Sequence, residues 1–226
     1  MIIKRFIVNR LEENSWVISG NGETCVVVDP GQDGDAEAGA LDAYFSENAL
    51  TPEAVLLTHA HMDHVYGVAA LQKKYGIPVY MSPADIPTLD YFDRVKKFGI
   101  HVPDREFTIS PADEGSVVEA AGLRFRAIAT PGHSPGGLCW LDEEHKVMFT
   151  GDTLFAGTIG RTDLVYGDYD SLIKSIMEKL MGLPGDIVIY PGHGPLSTIS
   201  DERTGNPFLE PFNEREEIPE LNDRND

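Results

Sequence analysis

Directly after the apolar run AVLLT at 54–58, the chain reads His59-Ala60-His61-Met62-Asp63-His64. Three imidazoles and a carboxylate within six residues ask for a fold that gives them a common neighbour. His59 and His61, two positions apart, can point to one side of an extended turn. Asp63 and His64 open the following helix and can face the same space from another direction. Neutral imidazole and carboxylate are the donor types that suit zinc, iron or manganese. A solvated histidine-rich loop is the alternative reading.

Three further motifs share the same context. His133 stands in TPGHSPGG after an apolar strand, Asp152 in FTGDTLF after another, and His193 in YPGHGP after a third. Each is a strand, a tight loop, then a ligand-type side chain. In sheets flanked by helices, sites form where strands end. The glycines beside these residues (Gly132, Gly151, Gly192, Gly194) allow close backbone approach or positive φ. Together the four motifs argue against the solvated loop.

The rest of the chain reads as a frame for those loops. Strands are expected at 2–8, 15–19 and 24–29, with a hairpin turn at Gly20-Asn21-Gly22. A helix is expected at 36–48, a strand buried on both faces at 54–57, a helix at 63–75 stopped by Gly76, and a strand at 78–81. Within 83–113, Ile86, Leu89, Phe92, Val95 and Phe98 trace an amphipathic helix. The stretch HVPDREFTISPADEG after it reads as loop. This segment is a candidate insertion over the site, or a plain capping helix. Strands at 116–119, 123–129, 137–141 and 146–150, a helix at 170–181 and a strand at 186–190 complete the pattern. The order suggests two related halves, each a sheet with helices outside. Residues 1–209 read as a single domain. From Glu210 to Asp226, seven acids face two arginines, an acidic solvated tail.

Composition excludes several partners. With 226 residues, 42% hydrophobic and 24% charged, the chain is globular and needs no staples for a core. Eighteen Lys and Arg against 37 Asp and Glu give a net charge of −19, unsuited to nucleic acid or an anionic membrane. Phosphodiester chemistry would call for added basic surface. Cys25 and Cys139 lie in apolar runs and read as reduced core residues. No segment has the roughly 18 apolar residues of a membrane span. The start, MIIKRFIVNRLEENS, scatters charges through its apolar stretch, so a cytoplasmic protein is expected. No serine elbow for nucleophilic catalysis is apparent.

The pieces THAHMDH, TPGHSPGG, FTGDTLFAGTIGRTDL, YPGHGPLSTI and DERTGNPFL span Thr58 to Leu209. In them the chain resembles the metallo-β-lactamase-fold hydrolases, and among these the short glyoxalase II (hydroxyacylglutathione hydrolase-like) proteins. The resemblance implies an α/β (α+β) fold, the αβ/βα four-layer sandwich: two mixed sheets face to face, helices on both outer faces. It implies two divalent metal ions, zinc first and iron or manganese next. His59, His61 and His133 would hold one, Asp63, His64 and His193 the other, and Asp152 would bridge them. The implied reaction is hydrolysis of a small-molecule thioester such as S-lactoylglutathione by a hydroxide shared between the ions. Members acting on glutathione thioesters often carry a C-terminal helical extension with Arg and Lys. This sequence has an acidic stretch after Leu209, which leaves the thiol carrier open.

Arg161 and Asp163 in GRTDL are candidates to orient the ligands through hydrogen bonds, or an ordinary ion pair. Tyr166, Tyr190 and Lys96 are candidate substrate contacts. His101 and His145 are expected at the surface without a role. Competing readings are a persulfide dioxygenase-like mono-iron enzyme, a phosphodiesterase or nuclease of the same fold, a β-lactamase, and a non-catalytic metal-binding module. The Gly-His-Gly around His193 favours the hydrolase over the dioxygenase. Oligomeric state is not set by these features.

Overall fold

The computed structural model describes residues 1–210. The acidic tail expected over 210–226 lies, apart from Glu210, outside the described residues. The first half of the chain supplies β1 (Ile2–Val8), β2 (Glu13–Ser19), β3 (Thr24–Val28), β4 (Thr51–Leu56), β5 (Val79–Met81) and β6 (Ile109–Pro111). They lie side by side in that order, antiparallel from β1 to β3 and parallel from β3 to β6. The second half supplies β7 (Val117–Ala120), β8 (Leu123–Ala129), β9 (Leu138–Asp142), β10 (Val147–Gly151), the short hairpin β11 (Leu154–Phe155) and β12 (Thr158–Ile159), then β13 (Val188–Pro191) and β14 (Ser197–Thr198). The second sheet runs β14-β13-β10-β9-β8-β7 and is also mixed, with β10 and β13 parallel.

Strand periodicity explains why the two sheets stack. Successive side chains of a strand point to opposite faces. In β2, β3 and β4 both faces are apolar, so each strand feeds two cores. Trp16, Ile18, Val26, Val28 and Leu56 face the second sheet and meet Phe125, Leu138, Trp140 and Phe149. Their neighbours Val17, Val27 and Val55 face outward against α1 (Asp35–Glu47), α2 (Met62–Val65), α3 (Val68–Tyr75) and α4 (Ile86–Lys96). On the far side Cys139, Leu141, Met148 and Ile189 pack against α5 (Tyr169–Ser175) and α6 (Ile199–Gly205). The result is helix, sheet, sheet, helix, as the resemblance implies. Burying each large apolar side chain contributes about 1.5–3 kcal/mol, so the double-faced strands hold the layers together. Both cysteines are buried and free.

Several elements differ from the sequence reading. The helix expected over 63–75 is two helices, because the Gly67 amide turns aside to donate to the Pro30 carbonyl at 2.7 Å. Gly76 does end the second, with φ +66. The helix expected over 170–181 becomes a π-helical turn after Ser175, where the Met181 amide reaches back to the Ile176 carbonyl. The stretch read as loop contains β6, which extends the first sheet beside β5. In α4 only Leu89 and Phe92 of the expected stripe are buried, while Ile86 and Phe98 are exposed, the latter lying beyond the last helical turn. Among the described residues no helix is long and apolar enough to cross a membrane.

Candidate metal centre

Four strand ends deliver the seven predicted residues to one place. His59, His61, Asp63 and His64 follow β4; His133 follows β8, Asp152 follows β10, and His193 follows β13. β8 and β10 are each antiparallel to β9, so both run the same way and end at the same edge. The His193 loop is fixed by β2, whose Asn14 donates from its side-chain amide to the carbonyls of Pro191 and Gly194, each at 3.0 Å. Glycine is required where these loops touch. A Cβ on Gly192 would lie 2.4 Å from Asp152 Oδ1, and one on Gly160 would lie 1.8 Å from the Asp152 carbonyl oxygen.

The donor atoms fall into two sets. His59, His61 and His133 each present a nitrogen, all within 4.8 Å of one another, and Asp63, His64 and His193 form a second set under the same limit. Asp152 lies between them: its Oδ1 is 3.4 Å from His64 Nε2, and its Oδ2 is 3.4 Å from His133 Nε2 and 3.7 Å from His193 Nε2. His59 Nε2, His64 Nε2 and Asp152 Oδ1 are buried and have no hydrogen-bond partner. Buried polar atoms are almost always paired. Three buried atoms without a partner at the junction of two His/Asp sets are donors that a cation satisfies, so the residues fit divalent metal.

The rings are held in the tautomer that metal needs. A carbonyl can only accept, so His133 Nδ1 carries the proton donated to the Arg161 carbonyl at 2.7 Å, and Nε2 is left as a lone-pair nitrogen, 2.8 Å from His61 Nδ1. The Asp29 carboxylate accepts from His64 Nδ1 at 3.0 Å and from the Thr58 hydroxyl at 2.6 Å. With its proton given to Asp29, the Thr58 oxygen accepts from His59 Nδ1 at 3.1 Å. One carboxylate therefore aligns His64 directly and His59 through Thr58, the kind of outer support that metal-binding histidines carry.

Electrostatics point the same way. Burial, then the neighbouring His64 and His133, holds the His59 imidazole well below its ordinary value. Burial likewise lowers His61, to about 3. Burial by itself would raise Asp152, yet His64 and then His133 and His59 hold its carboxyl well below the carboxylate range. Neutral imidazole and ionised carboxylate are the metal-binding forms. His64 and His193 are the exceptions: burial opposes their charge, but Asp63 and Asp152 outweigh burial, raising His64 well above the usual imidazole value and His193 above it. Burial pushes Cys25 up to about 12 and Cys139 to about 11, so neither is a nucleophile.

The remaining candidates divide. Arg161 reaches the centre through its backbone carbonyl only; its guanidinium pairs with Asp163 at 2.7 Å, exposed. Asp163 touches none of the seven. Tyr166 lines the cavity in front of the centre. Tyr190 does not: it packs edge-on against Trp16 and beside Phe149 in the core between the sheets. Lys96 is exposed and stands outside the cavity wall. His145 is exposed and pairs with Asp142. His101 is exposed too, but it lines the cavity, stacked on Tyr66 and paired with Asp33.

Sequence reasoning missed Asp29, Thr58, Glu13 and Asp85. The signal for Asp29 was an acid closing the apolar strand in CVVVDPG. Glu13 is fully buried 3.8 Å from His64 Nδ1, its carboxyl raised by burial. Asp85, also buried, accepts from the Ala60 amide at 2.8 Å, the Ser134 hydroxyl at 3.0 Å and the Gly136 amide at 2.6 Å. It ties the His59–His61 loop to the His133 loop.

Known proteins are similar to this chain over nearly its whole length. The family description for the metallo-beta-lactamase superfamily matches residues 8–193. Hydroxyacylglutathione hydrolase GloC of Haemophilus influenzae is 36% identical, over 92% of this chain and 98% of its own. The crystal structure of the BLEG-1 B3 metallo-beta-lactamase is 34% identical with a TM-score of 0.82, over 92% of this chain and all of that one. That of TTHA1623 in a di-iron-bound form is 37% identical with a TM-score of 0.80, over 91% and 100%. Fold, donor sets and relatives agree, and the chain belongs to the metallo-beta-lactamase superfamily, as a metallo-hydrolase of that group.

Proposed function

We propose that this metallo-hydrolase is a binuclear thioester hydrolase of the hydroxyacylglutathione hydrolase type. The observation that carries the reading is Asp152, placed between two complete three-residue donor sets. Similarity to GloC supports the thioester. His59, His61 and His133 would hold one divalent ion and Asp63, His64 and His193 the other, with Asp152 shared. Zinc is the ion we propose, and the di-iron relative supports iron as the alternative. Bound there, the cations would lower the pKa of a shared water toward about 7 and polarise a carbonyl.

The chain's own residues prepare that chemistry. Asp29, Thr58 and the Arg161 carbonyl fix ring orientation, so the ligands need no rearrangement. Phe155 and Ile159 of the β11–β12 hairpin wall one side of the cavity, and Thr88, Tyr91 and Phe92 of α4 wall another. The segment 83–113 is thus proposed as part of the site within a single domain, 1–209. In the reaction, a water oxygen bonds to the thioester carbon and the C–S bond breaks, its electron pair leaving on sulfur. The thiolate takes up a proton, giving one carboxylic acid and one thiol. The acidic surface supports a small-molecule partner over nucleic acid.

The test is a substrate panel on protein reconstituted with zinc or iron: thioesters, phosphodiesters, lactams and a persulfide with oxygen uptake recorded. Two metals per chain with thioester turnover is expected. One iron with oxygen consumption, or turnover confined to another ester class, would overturn the reading.

A further inference from the structure

We infer that the substrate of this site carries an apolar limb, so that thioesters with an alkyl chain of about four to eight carbons are preferred over lactoylglutathione. This deepens the thioesterase reading and rests on it for the reaction, though not for binding.

The cavity in front of the donor sets has a volume of about 880 Å³, in the range that encloses a drug-sized molecule. Its walls are apolar and come from separate elements: Leu11 from the β1–β2 turn, Tyr66 after α2, Phe92 from α4, Phe155 from β11, and Leu164 and Tyr166 from the loop before α5. Four lining residues at the mouth remain strongly exposed: Leu11 at 64%, Ile100 at 46%, Val165 at 44% and Tyr166 at 42%. Single exposed apolar residues are ordinary, but several around one opening mark a binding surface.

These walls are preformed. The Asn9 side-chain amide donates to the carbonyls of Gly31 and Asp63, fixing the turn that bears Leu11 against the ligand helix. In the other wall Tyr166 has φ +71, costly for a bulky side chain. That loop is closed by Gly167 donating to the Leu164 carbonyl and tied down by Asp168 donating to that of Gly132.

Outside the donor sets most polar groups of the lining are already engaged, the buried Thr88 hydroxyl and Arg10 excepted. Arg161 holds Asp163, His101 holds Asp33, and Asn9 holds backbone. Among the described residues lining the cavity, Arg10 is the one cationic side chain without an ion pair or side-chain hydrogen bond. A glutathione moiety brings two carboxylates and an ammonium, and this wall offers it one guanidinium and much hydrocarbon. At most one of those charges would find that guanidinium, and the others would lose water without gaining an ionic partner. An alkyl limb instead gains with every methylene it buries.

The experiment has three arms. On zinc-reconstituted protein, acetyl, butanoyl, hexanoyl and octanoyl thioesters of N-acetylcysteamine test the acyl side. Lactoyl thioesters of glutathione, N-acetylcysteamine, butanethiol and hexanethiol test the thiol side. Calorimetry of the metal-free protein with inert S-alkyl thioethers of N-acetylcysteamine tests binding without turnover. We expect kcat/KM to rise about twofold to fourfold per added methylene in one of the two series, mainly through KM. The thioether Kd should fall in parallel. Val165→Glu, at an exposed position, should flatten whichever slope is seen. Flat slopes in all arms, or lactoylglutathione as the best substrate, would overturn the inference and leave the thioesterase reading standing. Thioethers that bind more tightly with length, beside thioesters that are never cleaved, would sink the reaction and keep the apolar limb.

Discussion

The Asp29 carboxylate lies 3.0 Å from Nδ1 of His64, on the opposite edge of the ring from Asp63 and Asp152. The same oxygen takes the Thr58 proton and thereby orients His59. Asp29→Asn should weaken metal binding about 10–100-fold, because losing such outer support typically costs that much. Chelator competition reads it. Wild-type affinity in the variant would mean the rings are held by packing alone.

Gly192 is wedged between the two donor sets. Its amide donates to the Gly151 carbonyl and its own carbonyl accepts from Asn14, so the backbone has little room to retreat. Gly192→Ala would bring a methyl to 2.4 Å from Asp152 Oδ1 and 2.7 Å from His64 Cε1. We expect a loss of about 1–3 kcal/mol from overpacking and reduced metal content, seen by thermal unfolding and elemental analysis. Full metal content would show that the loop yields.

The Asp85 carboxylate accepts three hydrogen bonds and donates none. In Asp85→Asn the new amide must turn an N–H toward a donor, leaving it unsatisfied at a cost of about 1–3 kcal/mol. Because Asp85 joins two ligand loops, affinity at the His59–His61–His133 set should fall with stability. A denaturant midpoint equal to wild type would remove Asp85 from this role.

In the metal-free protein the contribution of His64 to stability has a definite sign. His64 is raised well above the ordinary imidazole value, against burial, by Asp63 and Asp152. Its contribution to stability is therefore complete below about pH 6.5, the unfolded value, and fades as pH rises through the folded one. Metal must displace that proton, so metal affinity should increase over the same range. Unfolding midpoints and chelator competition from pH 5.5 to 9 measure both. Metal affinity that falls as pH rises would contradict the assignment of His64.

Arg161 and Asp163 test the difference between side chain and backbone. Only the Arg161 carbonyl touches His133. Arg161→Ala should keep wild-type metal content. Loss of metal from that variant would show that the exposed guanidinium matters after all.

The chain alone determined a good deal. The unbroken apolar run at 54–57 marked a double-faced strand, and four motifs named the seven side chains that the structure gathers in one place, because ligand-type chemistry is written in residue type and spacing. The layering into a sandwich entered through resemblance, since periodicity tells that a strand has two apolar faces and not which neighbours they meet. The supporting residues were settled only in three dimensions. Asp29 and Asp85 are ordinary acids in sequence; they become the hubs of the ligand loops because β3 and β5 end beside β4 and hold them there. Tyr190 and Tyr166 show the same limit. Both end short apolar runs, IVIY and LVY, but the sheet interior claimed the first, and a left-handed turn at the cavity mouth claimed the second. Local pattern sets which side chains want burial or a ligand; long-range packing sets which of them meet.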